Sequence, residues 1–572
     1  MTNKTLAPSG WPEAEREHWW AIQHAPLPGN PVAQGYGGAI ATAINAVATR
    51  AGLEALKQGG SAMDAALTTA LTQIVLGGGA VTSFFGILQL MHFDAEKGEA
   101  SSMSASWNTV LGEDDPLTIP GERRGASSSI TDMMALGEPS GRTALVGGFM
   151  RGLEEAHRRH GRLPFRRLFE PAIELAEEGF TVFGTLARYI ELRKEDLSRL
   201  PATRSIFFKD DGTPYVTGDH FRQPQLAETL RRVAVEGADY MYTGAWAARC
   251  VAAIQADGGK MTHEDLARYR PIWSEPILIE RNGRTLALPS GPCKGSINLV
   301  EALNLATAAG LTERPHWSSS GDSLVRIAKC CAVAGLSYAT KEQLEAEFPG
   351  FDMSDEVRMT QGHADRLWER LDGPGMIHFQ PIGTHSDDVV AIDAQGNMVS
   401  LCHSINCLIW GRTAINVDGI SIGDSAAVQQ PLVAATPRGG ALPNPIELGL
   451  ILKDDRPEIA WASMGMGLHY QSTMSVLNVV DHGMTIVEAV DAPRLLTPLQ
   501  PDMKTREYTL RVVEGEYPES VLDETGLEVI SVAQEDARFA QGLWVAIQRD
   551  TASGVLTAIS PSYTNGQAAA LD

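Results

Sequence analysis

A serine hydroxyl is a poor nucleophile at neutral pH until a positioned base takes its proton. The stretch Gly383-Thr384-His385-Ser386-Asp387-Asp388-Val389-Val390-Ala391-Ile392-Asp393-Ala394-Gln395-Gly396-Asn397 sets a small hydroxyl residue ahead of an apolar run and a turn. A second run, Met398 to Asn406, follows. Two apolar runs around an Asp/Gly/Asn turn predict a β-hairpin. Its first strand starts at a potential nucleophile, and its second returns Ser404 and Asn406 toward that start. Spaced by two, those residues share a face.

The elements that would hold this hairpin are readable around it. Ile44, Val47, Ala48, Ala51 and Ala55 recur at helical spacing, and Lys57-Gln58-Gly59-Gly60 ends that helix as a glycine cap would. Ser61-Ala62-Met63-Asp64-Ala65-Ala66 opens a second helix, up to Val75. Gly77-Gly78-Gly79 lacks the Gly-Lys-Ser/Thr of a phosphate loop and leads instead to a strand, Ile87 to Phe93, with a turn at 94–98. Gly161 and Pro164 stop one helix and start another. Residues 310–380 are polar and helical, and residues 411–430 read as a strand and loop. Further on, a strand from Ile446 to Leu452 precedes a second, Ala460 to Met464, which runs into Gly465-Met466-Gly467 and a helix from His469 to Val480.

In that order, four features resemble γ-glutamyltranspeptidases, which are N-terminal-nucleophile hydrolases. They are the hairpin, the Ala51-Gly52 helix with its Gly-Gly end, His160-Gly161-Arg162-Leu163-Pro164, and Asp491-Ala492-Pro493-Arg494. The resemblance spans roughly residues 34 to 565, with gaps. It implies an α+β fold, a four-layer α-β-β-α sandwich of two antiparallel sheets between helices. It also implies self-cleavage into a 1–385 subunit and a 386–572 catalytic subunit, intertwined as one domain. Counting back from Gly396-Asn397 without gaps puts Ser386 at the family's nucleophile, Ser404 at its hydroxyl neighbour and Asn406 at its Asn. A rival register matches Thr384-His385 to the family's text, needs two extra residues, and makes Thr384 the nucleophile.

Under that resemblance the Ser386 hydroxyl attacks the His385 carbonyl, and the freed α-amine becomes the base. Its reference pKa of about 7.7–8.0 suits the task. Gly465 and Met466, with Gly467, match the family's oxyanion glycines. Asn406 offers an amide, and Ser404 can hold the amine or hydroxyl in line. His385, His403 and His469 flank these motifs as structural or pocket-lining imidazoles. The family's carboxylate-binding Arg falls near Trp107, and its amine-binding positions fall near Ser425 and Val428. Neither charge partner is present, so the acyl group is expected to be less polar than glutamyl. Phe84-Phe85 suggests a reshaped pocket wall. The implied substrate is a small-molecule amide, and the implied assembly is an α/β heterodimer, with a dimer of heterodimers left open. An uncut relative that binds rather than catalyses is the alternative.

Bulk properties narrow the rest. A chain of 572 residues can bury a large core, and 44% apolar with 20% charged residues is ordinary for a globular protein. A net charge of −23 argues against nucleic acid, which is bound through Lys and Arg. Residues 1–20 hold Glu13, Glu15, Arg16 and Glu17 and no apolar run, so neither a signal peptide nor a membrane anchor is expected. Cytoplasm is the expected location, although many relatives are exported. Six cysteines form neither a disulfide framework nor a zinc pattern, and no metal or cofactor is expected. A dinucleotide loop is discounted because Gly465-Met466-Gly467 lacks its third glycine, Tyr470 standing there.

Overall fold

The computed structural model describes residues 5–26, 28–121, 137–339, 341–373, 386–497, 509–537, 540–562 and 564–572. Its main strands are β1 (Val32–Gly35), β2 (Gly38–Thr42), β3 (Ile87–Asp94), β4 (Glu99–Ala105), β5 (Ile272–Ser274), β6 (Ile277–Arg281) and β7 (Arg284–Leu288). After these come β8 (Asp387–Asp393), β9 (Met398–Ser404), β10 (Glu447–Lys453), β11 (Arg456–Met464), β12 (Leu543–Arg549), β13 (Leu556–Ile559) and β14 (Ala568–Leu571). They form two seven-stranded sheets, ordered β14-β2-β8-β9-β3-β4-β5 and β1-β13-β12-β11-β10-β7-β6. Neighbouring strands in both sheets run antiparallel.

Side chains alternate across a strand, and here both faces are covered. Along β8, Val389 and Ala391 join the core beneath α2 (Ala46–Lys57) and α3 (Ala62–Leu76). Val390 and Ile392 point into the layer between the sheets, where Ala460, Ala462 and Val545 of the second sheet meet them. The outer face of that sheet, with Ile451 and Trp461, packs on a helix from Leu468 to Val480. This is the expected four-layer α-β-β-α sandwich. The polar-looking 310–380 region contributes Leu324, Ile327, Leu367 and Trp368 to the same outer core. The strand and loop expected at 411–430 contain a small hairpin, Ile415–Val417 with Ile420–Ile422.

Two sequence motifs meet at the start of α3, and this is what fixes the hairpin in place. Ser61 and Asp64 form a reciprocal capping box there. Asp64 Oδ2 also accepts from the N–H groups of Arg162 (2.8 Å) and Leu163 (3.0 Å). Asp393, in the hairpin turn, accepts from Ala62 N (3.1 Å) through Oδ2 and from Gln395 N (3.0 Å) through Oδ1. Gly396 completes that turn at φ 88°, where a side chain would be strained. No helix among the described residues is long and apolar enough to cross a membrane.

Candidate active site

Ser386 directly precedes β8 and is only 3% exposed. Asp387 pairs with His403 and Asp388 with Cys402 in the hairpin, so Ser386 stands opposite Ser404, their side chains toward the inter-sheet layer. The Ser386 hydroxyl reaches the Cys402 thiol. Ser386 also lines a cavity of about 410 Å³, whose wall includes Ile44, Asn45, Met464, Gly465 and Met466.

Part of that wall is a cluster of carboxamides. Asn45, at the start of α2, holds left-handed backbone at φ 72°, which costs a non-glycine residue free energy and needs local support. The support comes from two directions. Its Oδ1 accepts from Gln23 Nε2 (2.9 Å), and its N–H donates to Asn565 Oδ1 (3.0 Å). Asn565 Nδ2 in turn donates to the Gln23 carbonyl (3.1 Å). All three residues line the cavity.

The Gly465–Gly467 turn supplies donors. Gly465 takes φ 91°, and a Cβ there would lie 2.8 Å from the Gln541 carbonyl oxygen. The Gly467 N–H is spent on that same carbonyl (3.2 Å). Among the described residues, the N–H groups of Gly465 and Met466 have no acceptor. Two such groups on a cavity wall are suited to stabilising an oxyanion. Thr497 Oγ1 donates to the Met466 carbonyl (2.9 Å) and holds the turn from behind.

The other residues singled out from the sequence are buried but not on this wall. Ser404 Oγ accepts from Asn406 N (2.8 Å), and Asn406 takes φ 50°. His403 lies on the helix side of the sheet, its Nε2 2.9 Å from Gln73 Oε1 and its ring against Phe149. Burial brings its pKa down to about 3, so it stays neutral at working pH. Trp107 packs in the inter-sheet core. Ser425 donates to the Ile405 carbonyl (2.8 Å) and is fully buried. Trp107, His403, Ser425 and Gly467 are thus absent from the described cavity lining. Phe84 and Phe85 are core side chains. Thr384 and His385 lie outside the described residues. His469 pairs with Glu447 through Nδ1.

Sequence reasoning missed Gln23, Asn45 and Asn565, along with Phe183, Leu186, Arg188 and Tyr189, all of which line the cavity. The only local signal was Asn45, a residue type that tolerates left-handed backbone, standing just before a helix.

Two carboxyls follow the serine, and both are buried. Burial raises the Asp387 pKa well above the usual range, and the neighbouring Asp388 raises it further. Burial does the same at Asp388, whose carboxyl reaches Cys402. The Cys402 thiol is pushed up too, by burial first and then by Asp388. These groups are held neutral, and none is a ready base. Among the described residues no cluster of three or more His, Cys, Asp or Glu could hold a metal ion.

Comparisons with known proteins agree with this geometry. A model of the gamma-glutamyltranspeptidase family matches residues 48–571. A glutathione hydrolase proenzyme of Pseudomonas aeruginosa is 32% identical over 491 residues, covering 81% of this chain and 84% of that protein. An acylase proenzyme, ACY 1, of Pseudomonas sp. strain SE83 is 27% identical over 62% of this chain and 64% of its own. The cephalosporin acylase of Bacillus halodurans superposes with a TM-score of 0.78 at 24% identity, covering 96% of this chain and 99% of that one. With motif order, sandwich and family match in agreement, the chain belongs to the γ-glutamyltranspeptidase family, whose members are amide-bond hydrolases and acyltransferases of the N-terminal-nucleophile type.

Proposed function

We propose that this enzyme cleaves its own chain before Ser386 and then uses that serine to transfer or hydrolyse an acyl group. The observation that carries the reading is Ser386 at a strand start, on the same cavity wall as the free N–H groups of Gly465 and Met466. In maturation the Ser386 hydroxyl attacks the carbonyl of residue 385, giving an ester that water opens to a new carboxylate and a free α-amine. In turnover that amine takes the hydroxyl proton as Oγ attacks the substrate carbonyl. The oxyanion is held at Gly465 and Met466. Collapse breaks the amide bond, and the leaving amine carries the proton away. Water then yields the acid, or a second amine yields a new amide, by the same proton route. Ser404, cross-strand from the serine, and Asn406, just past the end of that strand, position it.

The 385- and 187-residue pieces are expected to remain together as a heterodimer. Intact mass of the purified protein should give those two pieces, and Ser386→Ala should give one 572-residue chain without amide hydrolysis. A single uncut chain that still turns over would overturn the reading. A single inert one would favour the binding-protein alternative.

We also propose an acyl group other than glutamyl. Supporting this are Trp107 and Ser425, uncharged residues packed in the core where the resemblance expected charge partners. A γ-glutamyl anilide should therefore be a poorer substrate than a hexanoyl anilide. Efficient turnover of the γ-glutamyl compound removes the idea.

A further inference from the structure

Ser386 has a second cross-strand neighbour besides Ser404. Thr42 lies opposite Val389 in the pairing of β2 with β8. One residue past the end of β2, the Ala43 N–H still donates to the Asp388 carbonyl (3.3 Å). Carried two residues further, that register sets Asn45 opposite Ser386, and both residues line the cavity. Asn45 is 3% exposed and holds φ 72°, and its carbonyl accepts from Ala48 N (3.0 Å) and Thr49 N (3.1 Å) to start α2.

The direction of its carboxamide follows from a donor that cannot be reversed. The Val47 N–H donates to Gln23 Oε1 (3.2 Å), so Gln23 presents Nε2, and Asn45 answers with Oδ1 (2.9 Å). Asn45 Nδ2 is left for β8. There the Asn45 amide and the Ile44 N–H reach toward the Asp387 carboxyl. Asp387 Oδ1 accepts from Asp388 N (2.9 Å), and Oδ2 is buried with no donor at hydrogen-bond distance. Asp387 adjoins Ser386 in the chain, so where its side chain is held decides where the serine backbone sits. We propose that Asn45 is a positioning residue for the nucleophile: its amide, aimed by Gln23, holds the start of β8 through Asp387 and keeps the Ser386 hydroxyl in line with the substrate. The proposal rests on the Ser386 reading and adds a residue that touches neither the substrate nor the reacting atoms. The left-handed backbone is part of the device, because relaxing it would turn the carboxamide off the strand.

Asn45→Gly is the informative variant, since glycine takes φ 72° without strain and only the carboxamide is lost. On hexananilide its kcat, counted per matured serine, should fall about tenfold to a hundredfold with KM near the parent's, the scale for a reacting group displaced by an ångström or less. Self-cleavage, followed by intact mass, should slow in parallel and serves as the readout if the anilide turns over slowly. Gln23→Met keeps the side-chain length and removes the bond that turns Asn45, so it should show part of the same kcat loss at unchanged KM. Should Asn45→Gly not fold, Gln23→Met decides alone. A residue that merely supports the fold would lower the melting temperature and leave kcat and self-cleavage at parental values, and that result overturns the inference. A raised KM at parental kcat overturns it too, because Asn45 would then bind substrate. Hydrolysis that survives Ser386→Ala sinks the nucleophile reading, whereas a Ser386-dependent enzyme indifferent to Asn45→Gly sinks this inference alone.

Discussion

Asp388 is a carboxyl group placed where its sheet admits no water. Both its oxygens are buried, and its neighbour across the strands is the Cys402 thiol. Its folded pKa lies above the 3.8 of the free side chain, so the native state holds a proton that the unfolded chain releases. Its stabilising contribution is complete below pH 3.8 and is lost as pH rises toward the folded value. Asn has the same shape and nothing to ionise. The melting temperature of Asp388→Asn relative to the parent should therefore climb steadily from pH 5 to pH 8. A difference that stays flat or shrinks over that range would show that the carboxyl is not held protonated. His403 works in the opposite sense, since its folded pKa of about 3 is below the usual 6.5. It draws stability away as pH falls through that window, so the two buried groups oppose one another between about pH 4 and 6.5.

At the scale of elements, the hairpin is only as well placed as the helices beneath it. α2 and α3 cross where Gly52 meets Thr69, and a Cβ at Gly52 would lie 2.1 Å from Thr69 Oγ1 and 2.4 Å from Ile40 Cδ1. Gly52→Ala should part the helices and cost roughly 1–3 kcal/mol, the range for overpacking a filled core. Chemical denaturation would measure it, and an unchanged midpoint would mean the crossing has slack. The sequence announced much of this layer. Helical spacing from Ile44 to Ala55 with its Gly-Gly end gave α2, observed as Ala46–Lys57, and Ser61-Ala62-Met63-Asp64 marked the start of α3. Alternation around Gly396 gave β8 and β9, because short-range periodicity reports which faces are buried. It does not report what they are buried against. The cavity wall from the Glu13–His24 helix and from Phe183 to Tyr189 depends on contacts across more than 190 positions, and nothing local in those segments points to Ser386. Trp107 and Ser425 stand out only through the family resemblance, and packing puts both in the core.

Across the whole molecule, the two sides of position 385 share both large sheets. In the first sheet β2, from the first part of the chain, lies between β14 and β8, both from the second, and β3 pairs with β9. In the second sheet β1 edges β13, and β7 lies beside β10. Neither part supplies a whole large sheet, and in the continuous chain a covalent tether keeps the two sets of strands together as they pair. If the proposed cut before Ser386 is made, the covalent tether that brought those strands together is lost, although the native contacts remain. Forward folding is a one-molecule process, but recovery of the nicked form from denaturant becomes an encounter between two strangers, first order exchanged for second. A form nicked at that proposed site would owe its lifetime to how slowly it comes apart rather than to how readily it reassembles.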